Sequence, residues 1–190
     1  RRAQLMAAAR NLVLDQGYLP VAPQDLAVAA GVSKALVYRY FPQPQDVYNA
    51  LLDEAVEAMT RSGTVAAAAD EDVAASAVRL ADAYYRHIAA EGPLIQVILR
   101  DRFMAGRASS WTAAVRDRAA RSLARGLRRE FGTPLREAVA SVGMGLALPE
   151  ECGRLAFQGD LDVERGAAMC RELVLGVVDV ARRRGSEARG

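Results

Sequence analysis

Within seven residues the chain places Lys34, Tyr38, Arg39 and Tyr40, two cations and two phenols. Cations neutralise phosphate and phenolic hydroxyls donate hydrogen bonds to it, so this set suits the backbone of DNA. Lys34 is the sole lysine, and it and Arg39 are the only cations between Arg10 and Arg61. The formal net charge is just +2. The whole molecule is therefore no polycation, and DNA binding has to come from a local concentration of charge.

These side chains need a rigid support. Leu26 to Phe41 reads as the end of a short helix, about Pro23 to Ala30, then a glycine turn at Gly31, then a second helix capped by the hydroxyl of Ser33. Two helices joined by a short glycine-containing turn form a helix-turn-helix, whose second helix enters the major groove. Leu26, Ala27 and Ala30 are expected to point inward, and Phe41 and much of Tyr38 to pack in the core. Ahead of them, Leu5, Ala8, Ala9, Leu12 and Val13 repeat at helical spacing, and Gly17 closes that first helix. Pro44 is expected to open a fourth helix running to about Arg61, with Val47, Leu51, Leu52, Ala55, Val56 and Met59 as its apolar stripe.

The chain has 190 residues, 52% of them hydrophobic and few aromatic, a supply that favours helices and is ample for a core. No alternating strand pattern competes. The expected fold is all-α: a three-helix helix-turn-helix domain over 1–60 (the motif itself about 21–40), a helical bundle over 61–184, and a frayed polar tail at 185–190. A break is expected at Ser62-Gly63-Thr64, with helices then at 71–91, 93–104, 109–131, 134–147, 149–158 and 162–184. Gly92-Pro93, Gly106, Gly132-Thr133-Pro134, Pro149 and Gly159-Asp160 mark the interruptions. Cys152 and Cys170 lie apart without a CxxC pairing and read as small buried apolar residues. No apolar run spans a bilayer and no signal peptide is recognisable, so no membrane partner and a cytoplasmic location are expected. The chain opens on Arg1, which leaves room for residues upstream. A single histidine, with no nucleophile–base pair, metal-ligand spacing or phosphate loop, argues against an enzyme and implies no cofactor or metal.

The motif residues are specific enough to name a family. Asp25-Leu26-Ala27, Ala30-Gly31-Val32-Ser33-Lys34, Val37-Tyr38-Arg39-Tyr40-Phe41, Asp46-Val47 and Leu51-Leu52 resemble the N-terminal domain of the tetracycline-repressor (TetR) family of transcriptional regulators. The resemblance implies that Lys34, Ala35 and Leu36 after the Ser33 cap read bases, with Arg39 a further candidate. It also implies that Tyr38, Tyr40 and the start of the second helix, up to Gln24, meet phosphate. Three positions depart from the family pattern: Ala22 replaces the usual threonine, Ala35-Leu36 the usual Gly-Thr, and Pro44 the usual lysine. Fewer phosphate contacts are expected, partly offset by Arg1, Arg2 and Gln24. The implied partners are double-stranded operator DNA, a second copy of the chain, and a small-molecule effector. The expected function is a dimeric repressor released from a palindromic operator by that effector, the alternative being a helical sensor with weak or lost DNA binding.

The C-terminal part is read from its own residues. A largely apolar effector pocket needs bulky walls with a few polar groups, and Tyr84, His87, Ile88, Leu99, Phe103, Trp111 and Val115 supply them. The Arg100-Asp101-Arg102 cluster reads as solvated, and Arg116, Arg118, Arg121, Arg125, Arg128 and Arg129 as the outer face of one long helix. Val139–Leu148 and the last helix are apolar and rich in small residues, which lets helices approach closely. Val142, Met144, Leu146, Ala167, Cys170, Val174, Val177 and Val178 are the expected dimer interface, with an ordinary internal core as the alternative.

Overall fold

The computed structural model describes residues 1–61 and 72–188, so the break expected at 62–64 lies outside the described residues. Among those residues there are nine α-helices, one 3-10 turn and no strand. The helices are α1 (Arg2–Gln16), α2 (Pro23–Ala29), α3 (Lys34–Tyr40), α4 (Asp46–Arg61), α5 (Val73–Glu91), α6 (Leu94–Arg100), α7 (Ser110–Phe131), α8 (Leu135–Gln158) and α9 (Val163–Glu187). They make two compact units, Arg1–Ala58 with Pro93–Ala113, and Met59–Gly92 with Ala114–Gly190. A single cut near residue 60 therefore misses the return of 93–113 to the first unit.

In the first unit, α1 buries Leu5, Met6, Ala9 and Val13, while Ala8 and Leu12 are half-buried. Gly17 ends the helix at φ 72°, a left-handed position open to glycine, and its N–H donates to the Val13 carbonyl. The fourth helix begins at Asp46 rather than Pro44. The Asp46 carboxylate accepts the Gln43 N–H at 2.8 Å while its own N–H donates to the Gln43 carbonyl at 3.0 Å, a reciprocal cap that leaves Pro44 in the turn.

The helix expected over 93–104 is split at Asp101 into α6 and a 3-10 turn, Arg102–Met104. Asp101 is half-buried rather than simply solvated. Its Oδ1 accepts the Phe103 N–H at 2.8 Å and its Oδ2 the Leu19 N–H at 2.9 Å. The carboxylate thus satisfies a donor far away in sequence, which local patterning could not reveal. A second polar knot ties α4 to the start of α7. Asp53 accepts from the hydroxyls of Ser109 (2.6 Å) and Thr112 (2.7 Å), and Asn49 accepts the Ser109 N–H (3.0 Å).

In the second unit α5 packs against α8 and α9. One core cluster joins Val73, Ala124, Leu127, Ala138, Val142, Val178 and Ala181. Another joins Ala81, Tyr85, Cys152, Ala156, Cys170 and Val174. The two helices expected at 134–147 and 149–158 are one continuous helix with Pro149 inside it. Proline removes a donor and crowds the carbonyl four residues back, here that of Gly145. Val142, Pro149, Cys152 and Ala156 are all buried, so ending the helix there would uncover the core on both sides of the break.

Asp162 caps α9 by accepting the Arg165 N–H at 2.9 Å. The helix then runs to Glu187, which corrects the expectation of a tail frayed from 185. Gly185 is buried, and a Cβ there would strike the Phe131 carbonyl oxygen.

Candidate nucleic-acid interface

The reading head is built from backbone outward. Gly31 takes φ 60° in the turn, Ser33 is extended, and its hydroxyl accepts the Leu36 N–H at 3.3 Å. Val37 and Phe41, at 4% and 5% exposure, pin one side of α3 into the core. Lys34, Ala35, Tyr38, Arg39 and Tyr40 are exposed and Leu36 is half-buried. Lys34 with Tyr38, and Ala35 with Arg39, are i,i+4 pairs, so these four side chains share one open face. Tyr38 is 45% exposed, more open than the sequence reading expected, which leaves its ring and hydroxyl available on that face.

The scaffold beneath is fixed by polar contacts. Gln4 Nε2 donates to the Ala30 carbonyl at 2.7 Å, which ties α1 to the end of α2. The Val21 N–H donates to the Tyr48 hydroxyl at 2.7 Å, and the Tyr48 ring meets Phe103 edge-on at 5.9 Å. Burial pushes the Tyr48 phenol above its usual range, so it remains a neutral acceptor. Arg2 lies over the Phe41 ring at 5.7 Å and Arg1 bonds Gln4, while Gln24 is exposed on α2. Ala22 provides no side-chain cap to α2.

Arg116, Arg118, Arg125 and Arg128 on α7 carry no ion pair among the described residues, and the same holds on α3. Among the described residues neither Lys34 nor Arg39 has a carboxylate partner. Arg86, Arg121, Arg129, Arg154, Arg182 and Arg184, all in the second unit, each contact an acid at 3.3 Å or less.

The expected effector residues do not come together within one unit. Tyr84, His87, Ile88 and Val115 belong to the second and Leu99, Phe103 and Trp111 to the first. None of the seven lines the apolar cavity of about 40 Å³ inside the second unit, which is walled by Val73, Leu80, Leu123, Val142, Leu146 and Val174 among others. That volume holds about one water, far below the roughly 300 Å³ of a small-molecule site. The arginines Arg116, Arg118, Arg121, Arg125, Arg128 and Arg129 are exposed along α7, as expected.

The expected dimer set needs correction. Val142, Cys170, Val174 and Val178 are at most 8% exposed and lie in the unit's own core. Leu146, Ala167 and Val177 are half-buried, and of the eight only Met144 is exposed. The reason is the width of the apolar face on α9. One strip (Gly166, Cys170, Val174, Val178, Ala181) is consumed inside the unit. The strip beside it, Met169, Leu173 and Val180, stays open at 39–44% exposure, and Val139 and Met144 on α8 are open at 56–57%. Cys152 and Cys170 are free and buried, and burial pushes the Cys170 thiol up to about 12. Both cysteines are buried core residues, as the sequence reading expected.

Residues 5–51 match the family described as bacterial regulatory proteins, tetR family. The match covers the helix-turn-helix and reaches into the helices on either side of it. A relative from Mycolicibacterium smegmatis, the HTH-type transcriptional activator FasR, is 37% identical over 57 residues, 30% of this chain. The match spans only 26% of that protein's own length. Among solved structures, a TetR-like transcriptional regulator from Rhodococcus sp. RHA1 has TM-score 0.66 at 16% identity, covering 91% of this chain and 92% of that one. The TetR-family regulator PfmR from Thermus thermophilus has TM-score 0.66 at 23% identity, covering 90% and 96%. A single-residue variant of TetR from Acinetobacter baumannii AYE, solved in complex with minocycline, has TM-score 0.65 at 16% identity, covering 97% and 98%. These likenesses establish the fold over nearly the whole chain. All of these proteins are transcriptional regulators, not enzymes. Among the described residues, no helix is long and apolar enough to cross a membrane.

Proposed function

We propose that the chain is a dimeric transcriptional regulator of the repressor type, bound to a palindromic operator through α3 and released by a small-molecule effector. The supporting observation is the exposed part of α3, where Lys34 and Arg39, unpaired among the described residues, stand beside Tyr38 and Tyr40. An unpaired cation loses little on meeting phosphate, because no ion pair has to be broken first. Lys34, Ala35, Leu36 and Arg39 face the bases in this reading, and Gln24, Ser33, Tyr38 and Tyr40 face the backbone. Dimerisation uses the exposed strips of α8 and α9, Val139, Met144, Met169, Leu173 and Val180, in place of the buried set. Two copies then present two reading heads to half-sites one helical turn, or a multiple of it, apart. Effector release is a coupling free energy, the ligand favouring an arrangement that the operator does not. The minocycline complex of the Acinetobacter protein supports ligand binding by this fold.

One observation favours a second reading, a small-molecule sensor with weak DNA binding: Ala22 leaves α2 without a side-chain cap. Gel shifts on fragments retained by the protein decide between them. Lys34→Ala and Arg39→Ala each weaken the shift about 5- to 100-fold if α3 reads DNA, as expected for a lost phosphate or base contact. Unchanged shifts in both variants would refute the assignment of α3. A promoter reporter with and without the gene reads the sign, repression requiring higher output without it.

A further inference from the structure

Among the described residues, one buried side chain has both of its polar atoms unpartnered. Gln96 on α6 is 8% exposed, and neither Nε2 nor Oε1 makes a hydrogen bond. By contrast, buried Thr112 donates to Asp53, and buried Thr133 shares its hydroxyl proton between the Leu127 and Ala181 carbonyls. A buried carboxamide with no partner opposes folding. Its neighbours on α6 are apolar, with Leu94, Ile95 and Ile98 buried, so a leucine would suit the helix and its surroundings better.

We infer that Gln96 is the recognition group for a small ligand that carries a hydrogen-bond donor and an acceptor side by side on an apolar body, such as a primary carboxamide. The inference rests on the effector reading above and names the chemistry of that effector. A carboxamide edge offers one donor and one acceptor, and only a partner with the complementary pair meets both. A carboxylate accepts but cannot donate, and an ammonium donates but cannot accept. The C-terminal end of α6 is tied through Asp101 to the Leu19 N–H, in the connector that leads into α2. A ligand held at Gln96 therefore acts on a helix whose end is already bonded to the connector before α2 in the same unit.

The test is thermal melting of the full chain with benzamide, which donates and accepts, and acetophenone, which only accepts. Wild type is compared with Gln96→Leu and Gln96→Met. Without ligand both variants should melt higher, by roughly 2–4 °C, because the unmet amide is gone. Benzamide should raise the wild-type midpoint more than acetophenone does, and that difference should vanish in both variants. Lower melting of both variants, no benzamide shift in wild type, or equal benzamide shifts in all three proteins overturns the inference. A Gln96-dependent benzamide shift in a chain that retains no DNA breaks the regulator reading alone. DNA retention without such a shift breaks this inference alone.

Discussion

Helices α3 and α9 use the same residue types to opposite ends. On α9, Arg182 contacts Asp179 at 3.1 Å and Arg184 contacts Glu187 at 3.0 Å, one helical turn away, while Cys170, Val174, Val178 and Ala181 fill the core. On α3 only Val37 is buried, and among the described residues Lys34 and Arg39 have no acid to neutralise them. Arg165, Arg171 and Arg183 on α9 pair with no acid among the described residues, so an unmatched cation alone does not set α3 apart. Density does: α3 holds two cations and two exposed phenols within seven residues around a single buried anchor, Val37.

The difference can be broken first from the structural side. Tyr85 is fully buried, and its hydroxyl donates to the Val163 carbonyl at 2.6 Å. Tyr85→Ala should cost about 3–5 kcal/mol of stability, as large aromatic truncations in cores do, measurable by denaturant unfolding. DNA affinity per folded molecule should not change, and a selective loss of affinity would erase the distinction between the two helices. From the reading side, Lys34→Ala should leave the melting temperature within about 2 °C. Where Lys34 meets a phosphate, the salt dependence of DNA affinity should flatten by a log–log slope of about 1.

A smaller effect concerns the buried thiol. The folded pKa of Cys170 is raised from its usual 9.0 to about 12, mainly by burial. Its stabilising contribution is therefore complete below 9 and is lost as pH rises toward 12, because the unfolded chain ionises first. Wild type should lose up to about 1.4 kcal/mol per pH unit across that window relative to Cys170→Ala. Parallel stability curves for the two proteins would contradict it. Smallest of all is Arg121→Ala. Its exposed pair with Asp117 at 3.3 Å should be worth no more than about 0.5 kcal/mol by chemical denaturation.

What the sequence disclosed followed the range of the interactions involved. Gly17, Gly31 and Ser33 act within a few residues, and each helix boundary they mark is present in the structure. The position of Asp101 was not legible, because the N–H it accepts, on Leu19, lies 82 residues away. Pro149 misled for a related reason: a local breaker was overruled by burial on both of its sides. On α9 the spacing revealed a broad apolar surface but not which strip the chain would use for itself, since Leu173 and Val174 are equally apolar and only packing separates them. Gln96 escaped notice altogether. A glutamine in a short apolar helix carries no sequence signal until its surroundings are seen to leave it unmet.

The most direct test of the account is selection of genomic fragments by the wild-type chain, repeated with Lys34→Ala and Arg39→Ala. The wild type should enrich a palindrome, and both variants should lose or markedly weaken that enrichment with folding and oligomeric state unchanged. Absence of any enriched sequence, or an identical palindrome recovered by both variants, would contradict the claim that the unpaired face of α3 reads DNA.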